Sequence, residues 1–196
     1  MSRGRPRDPE ADRAILDAAG EIFLERGVEG TSIEQVAKRA GVGKLTVYRR
    51  WPSKEDLIAQ AVETLVTEEI PWPSPEQIAS RSPYELVEQG LDATARAAAS
   101  PRLRALVARV FGSSVSHPAL MEIYWRGYIL PRRELTRALL ARAQEEGSVA
   151  PDADLDALTD MLAGATTYRM LRPDPPDADA MRAYLRSLYV QVGLLR

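Results

Sequence analysis

Between Thr31 and Leu57 the sequence starts, ends and restarts helices at intervals that suit only short, closely packed helical segments. Thr31-Ser32-Ile33-Glu34 reads as a capping box, in which the Thr31 hydroxyl takes the Glu34 amide and the carboxylate reaches back. Ile33, Val36, Ala37 and Ala40 follow at the three- and four-residue spacing of one helix face. Ala40-Gly41-Val42 breaks that face, and Gly41 suits the left-handed backbone of a tight turn. A short polar helix is expected from about Lys44 to Arg50. Pro52-Ser53 ends it, and Ser53 caps a further helix with Asp56 three residues on.

Upstream, Ile15, Ala18, Ala19, Ile22 and Phe23 place a helix from Asp8 or Glu10 to Arg26, with Gly27 at its C-cap. Residues 1–9, with Arg3, Arg5, Arg7 and two prolines, read as a flexible basic arm. The fourth helix, 53–69, ends at Pro71-Trp72-Pro73-Ser74-Pro75, which reads as a loop between lobes. Beyond it the periodicity predicts helices at 83–99, 102–115, 118–146, 153–171 and 177–194. No strand-like alternation and no internal repeat is visible. The fold class is all-α. The arm is followed by a three-helix domain over 10–56 and a larger helical domain over 57–196, the fourth helix linking them.

The 196 residues are 45% hydrophobic and 28% charged, enough apolar material for a core under a polar surface. No apolar run approaches the roughly 18 residues of a membrane span, and no signal-peptide core follows the basic start. The expected location is the cytoplasm. With no Cys and one His, His117, thiolate metal sites and cysteine nucleophiles are excluded. No glycine-rich phosphate loop, nucleophile elbow or zinc spacing occurs, so neither an enzyme nor a cofactor is expected. Asp152, Asp154 and Asp156 superficially resemble a calcium loop. Ala157 and Ala163 stand where that loop needs Gly and Glu, and the carboxylates suit a helix N-terminus instead.

The net charge of −2 hides an asymmetry: residues 1–55 carry +2 and the remainder −4, and all three lysines fall in the first part. So small a basic excess argues against non-specific nucleic-acid packaging. The placement of the charges fits a helix-turn-helix instead, a short polar helix shaped to enter a DNA major groove. Gly43, Lys44, Leu45, Thr46, Tyr48, Arg49 and Arg50 are its candidate contacts. Thr31 and Ser32 at the preceding helix start, and Lys54 at the following one, are placed to clamp phosphates. Arg3, Arg5 and Arg7 suit a narrow minor groove. Val42, Leu45 and Val47 are expected to hold the reading helix against its neighbours, and Trp51 to pack.

From Ile15-Leu16-Asp17-Ala18-Ala19 through Phe23-Leu24-Glu25-Arg26-Gly27 and Thr31-Ser32-Ile33-Glu34-Gln35-Val36-Ala37 to the continuous run Ala40–Ile58, the chain resembles the DNA-binding domain of the tetracycline-repressor (TetR) family. Arg50 and Trp51 stand where many relatives carry His or Tyr and then Phe, and Gly43 where Ser is common. The resemblance implies nine or ten helices and a homodimer built on the last two long ones. It also implies a ligand cavity in the C-terminal domain and repression, at a palindromic double-stranded operator, released by a small molecule. An activator, or a ligand-independent DNA-binding protein of the same fold, is the alternative.

For the cavity the candidates are Phe111, His117, Met121, Tyr124, Trp125, Tyr128, Met161, Thr166 and Met170, which suit an apolar or aromatic effector. Met121, Trp125 and Tyr128 are spaced to share one helix face; an ordinary core stripe is the plainer reading, and His117 suits a structural role before Pro118. For the dimer interface they are Leu155, Leu158 and Leu162 with Met181, Tyr184, Leu185, Leu188 and Val192. Two-fold symmetry would set the reading helices about 34 Å apart, one turn of DNA. Ligand binding would then act by shifting the fourth helix and so changing that separation.

Overall fold

The structure, a computed structural model, describes residues 9–68 and 75–196, and every regular element among them is helical. The chain divides into two compact units: the chain up to Val66 with Arg109–Tyr124, and Thr67–Ala108 with Trp125–Arg196. The sequence reading places its boundary after residue 56. The structure instead keeps the fourth helix with the first unit, because Leu57 and Ala61 are buried in that unit's core.

In the first unit α1 (Pro9–Arg26), α2 (Ile33–Arg39), α3 (Lys44–Tyr48) and α4 (Lys54–Glu68) surround Ile15, Ala19, Ile22, Val36, Val47, Trp51 and Leu57. Gly27, at φ +73°, ends α1 as expected. The capping box falls one residue later than the sequence suggests. Ser32, not Thr31, caps α2 by accepting from the Gln35 amide, and the Gln35 side chain accepts from the Ser32 amide. Thr31 is 2% exposed and donates its hydroxyl to the Gly27 carbonyl at 2.7 Å. It closes the end of α1 rather than the start of α2. Ser53 caps α4 through the Asp56 amide at 3.0 Å. The Trp51 indole donates to Gln60 at 2.6 Å, which fixes the turn between α3 and α4.

In the second unit α5 (Pro75–Ser80) occupies a segment where no helix was expected. Its end carbonyls are satisfied from far along the chain: Arg142 donates to the carbonyls of Ile78 and Arg81 at 2.6 and 2.7 Å. That bond is invisible to local propensity. The central helix is α6 (Pro83–Ala99), started by a Ser82–Glu85 capping box with Pro83 in its first turn. It buries Val87, Leu91, Ala95 and Ala98 and packs against α9 (Leu130–Glu145), α10 (Leu155–Met170) and α11 (Ala178–Gln191). Asp154 and Asp177 cap α10 and α11, so the aspartate run at 152–156 serves a helix start, as the sequence suggested. α7 (Pro101–Ser113) contributes to the second unit up to Ala108 and to the first from Arg109, and α8 (Pro118–Tyr124) belongs to the first. The single helix expected over 118–146 is interrupted by a π-helical turn at Trp125–Ile129.

Two glycines with positive φ separate conformational from steric cost. Gly41 (φ +68°) has open space where a Cβ would stand, whereas at Gly193 (φ +79°) a Cβ would fall 2.2 Å from the Ser148 carbonyl oxygen. Chemical unfolding should therefore show Gly41→Ala costing about 1 kcal/mol, the left-handed backbone penalty alone. Gly193→Ala should cost clearly more. Equal losses would contradict the packing at residue 193.

Candidate nucleic-acid interface

The outward face of the first unit is built on α3. Its inner side is Val47, fully buried against α1, α2 and α4. The outer side presents Lys44, Leu45, Tyr48 and Arg49, all exposed. Leu45 is 76% exposed and Tyr48 42%. The sequence reading gave Leu45 a packing role beside Val42 and Val47. Val42 and Val47 do pack, but Leu45 points away, because a five-residue helix has only one inward position per turn. Gly43 occupies the N-cap of α3 in extended backbone without a side-chain cap. Thr46 is half-buried.

The cations differ in how they are held. The Arg50 guanidinium forms an ion pair with Asp12 of α1, is largely buried, and donates to the Thr46 carbonyl at 3.2 Å. It therefore fastens α3 to α1. Lys44 pairs with Glu34 of α2 and lies 5.6 Å from the Tyr48 ring centre. The hydrogen bond from Lys44 holds the Glu34 carboxyl below the usual carboxylate range, and its partner raises Lys44 in turn. Arg49 donates only to the Leu45 carbonyl, at 3.3 Å, and its charge stays in solvent. Lys54 reaches the Val28 carbonyl at 3.2 Å and lies 4.0 Å from Glu29. Ser32 spends its hydroxyl on the Gln35 amide, and Thr31 is buried below it. Arg3, Arg5 and Arg7 lie outside the described residues.

Sequence reasoning missed the ties that orient this face. Arg39 makes a two-bond pair with Glu25 at 2.9 and 3.1 Å, joining α2 to the end of α1. Arg109 of α7 donates to the Leu24 and Glu25 carbonyls at 3.2 and 2.5 Å, closing the C-terminus of α1. His117 stands 3.5 Å from Glu29. These partners are 14 to 88 residues apart, and no local pattern signals them. A surplus of Arg over Lys is the only hint.

The expected effector residues fall in both units. Phe111, His117, Met121 and Tyr124 belong to the first and Trp125, Tyr128, Met161, Thr166 and Met170 to the second. Tyr124, Tyr128 and Met170 are buried, while Phe111, Trp125 and Met161 are exposed. The shared face proposed for Met121, Trp125 and Tyr128 does not form. A π turn begins after Tyr124, and the buried positions are Leu120 and Tyr124 in the first unit and Tyr128 in the second. Arg132 stacks on the Tyr128 ring at 3.6 Å. Thr166 bonds back to the Leu162 carbonyl.

The expected interface residues are largely used within the chain itself. Leu162, Met181 and Leu185 are buried, and Leu155, Leu158, Tyr184, Leu188 and Val192 are half-buried. The open face of α10 carries other residues: Ala157, Met161, Gly164, Tyr168 and, just past its end, Leu171. They alternate at spacings of four and three, the seam of a paired helix. Met161 is 63% and Tyr168 73% exposed. On α11 the corresponding open positions are Ala180, Ala183, Ser187 and Val190. Amphipathic spacing alone could not tell which of two apolar stripes faces inward.

Among the described residues no helix is long and apolar enough to cross a membrane, and no cluster of metal-ligating groups occurs.

Residues 15–61 match the family model for bacterial regulatory proteins of the tetR family, and residues 87–188 match that for the tetracyclin repressor-like C-terminal domain. The HTH-type transcriptional regulator YdeS of Bacillus subtilis is 29% identical over 169 residues, 86% of this chain and 82% of that protein. An HTH-type transcriptional regulator of Mycobacterium tuberculosis, Rv1556, is 27% identical over 186 residues, 91% and 88% of the two chains. Two solved structures share the fold. A transcriptional regulator from Saccharomonospora viridis in complex with choline superposes with a TM-score of 0.73 at 20% identity, over 93% of this chain and 96% of that one. A TetR-family regulator from Mesorhizobium loti superposes with a TM-score of 0.69 at 20% identity, over 96% and 100%.

The Lys44–Glu34 pair has a direct signature. Because Lys44 lowers Glu34, the pair's contribution is present above the ordinary carboxylate value of 4.5 and is lost as pH falls through the lower folded value. In carboxyl-detected NMR, Glu34 should titrate below 4.5 in the native protein and return toward 4.5 in Lys44→Met. An unchanged midpoint would mean that the two groups do not meet in solution.

Proposed function

Because this chain belongs to the TetR family of bacterial transcriptional regulators, DNA-binding proteins and not enzymes, we propose that it is a ligand-responsive repressor that grips a palindromic operator as a homodimer. One observation carries the reading: α3 offers Lys44, Leu45, Tyr48 and Arg49 outward while Val47 anchors it from behind. A major groove about 12 Å wide accepts such a helix edge-on. In this reading Arg49 and Tyr48 make the principal contacts and Lys44 leaves Glu34 for a phosphate. Ser32 and the first amides of α2 hold the backbone, Thr46 lines the groove, and Gly43 lets α3 approach closely. Thr31 and Arg50 support from within rather than touch DNA, and Lys54 does the same at the loop after α1. The arm residues Arg3, Arg5 and Arg7 add a minor-groove contact.

The partner is a second copy of this chain, seated on the open faces of α10 and α11. Small residues at Ala157, Gly164, Ala180 and Ala183 let two such faces approach closely, and Met161, Tyr168 and Val190 supply the apolar area. The effector is a small molecule of apolar or aromatic character, and the buried aromatic ring of Tyr128 within the second unit supports that chemistry. Binding must differ between the two states for the operator to be released. The protein acts in the cytoplasm.

Gel shifts against the DNA upstream of the protein's own gene, with scrambled competitor, test the DNA reading. Specific binding should exceed non-specific by roughly 10³. Arg49→Ala and Tyr48→Ala should each abolish the specific shift with helicity and dimer mass unchanged; retention of full affinity by both would refute the role of α3. Light scattering tests the partner. Met161→Glu combined with Tyr168→Glu should give a monomer that keeps its helicity and loses at least about a hundredfold in operator affinity, the penalty of unlinking two heads. A dimer that survives both changes would move the interface elsewhere.

A further inference from the structure

We propose that Leu45 reads the 5-methyl group of a thymine in each operator half-site, and so sets base preference rather than affinity alone. The inference rests on α3 entering the major groove, as proposed above. An exposed leucine by itself needs no explanation. This one stands on the most exposed side of α3, among groups that are otherwise polar or aromatic. Its neighbours one turn on, Tyr48 and Arg49, lie on the same face, and Lys44 is drawn aside to Glu34. Leu45 makes no packing contribution to the head: the core-facing position of α3 is already filled by Val47. Its side chain is therefore left for whatever α3 docks against.

Leucine has no donor or acceptor, so it cannot read the edges of guanine, adenine or cytosine by hydrogen bonds. The floor of the major groove offers one apolar group, the thymine methyl. Against a G·C pair the same side chain would strip water from polar base atoms without replacing the hydrogen bonds lost. The position therefore favours A·T through both attraction and penalty.

The test uses the full-length protein and the operator defined by footprinting. Each thymine within the segment covered by α3 is replaced in turn by deoxyuridine, which removes only the methyl. For the native protein one symmetric pair of replacements should weaken binding by about fifteenfold, about fourfold for each methyl lost. Leu45→Ala, an exposed change that circular dichroism should find harmless, should bind the thymine and uracil operators within twofold of each other. At every other thymine the two proteins should respond alike. The proposal is overturned if specific binding is present and no deoxyuridine position separates native protein from Leu45→Ala, or if the covered segment holds no thymine. Absence of any specific operator binding would overturn the underlying groove reading as well, and the footprint reports that separately.

Discussion

A five-residue helix has no stability of its own. Nucleating one turn fixes several residues for a single hydrogen bond, and α3 makes too few bonds to recover that cost. It exists because Val47 is sunk among Ile15, Ile33, Val36 and Trp51, a burial worth about 1.5–3 kcal/mol for a side chain of this size. Everything presented to solvent follows from that single anchor. With Val47 inward, Leu45, Tyr48 and Arg49 have no choice but to face out. The turn at Gly41 before it and the Trp51–Gln60 bond after it then set the angle at which α3 leaves the surface.

Charge completes the orientation. α1 is tied to the reading helices at both ends, through Asp12 to Arg50 and through Glu25 to Arg39. The Glu25–Arg39 pair is exposed and adds little stability, whereas the Arg50–Asp12 pair is largely buried. They matter here for direction more than for stability. Arg50, Arg39 and Lys44 are thus each held by a carboxylate of the same unit, while the Arg49 guanidinium stays in solvent on the outward face of α3. Arg109 closes the C-terminal end of α1 through the Leu24 and Glu25 carbonyls, and Lys54 holds the loop after it through the Val28 carbonyl. Helix ends that cannot satisfy their own carbonyls thus become the attachment points of distant side chains.

Much of this was legible beforehand. The helix starts at Pro9, Ile33, Lys44, Lys54 and Pro83 fall within a residue or so of expectation, since caps and glycine turns are local chemistry. The failures share one cause. Thr31 and Ser32 are both competent caps, and only the geometry of the loop before them chooses. The π turn at Trp125–Ile129 leaves no mark in apolar spacing, so the Met121–Trp125–Tyr128 stripe dissolves. On α10 two apolar stripes compete, and Leu162 went inward while Met161 and Tyr168 stayed out.

By itself the sequence determined the all-helical class, the short helix after a glycine turn, and the polar set that helix carries, because these depend on neighbours three or four residues away. Only the tertiary structure decided which cations are free, which leucine faces outward and which face of α10 is open. Those outcomes depend on groups brought together from far apart in the chain, such as Asp12 with Arg50 and Leu24 with Arg109. A side chain's role is settled by what else reaches it first.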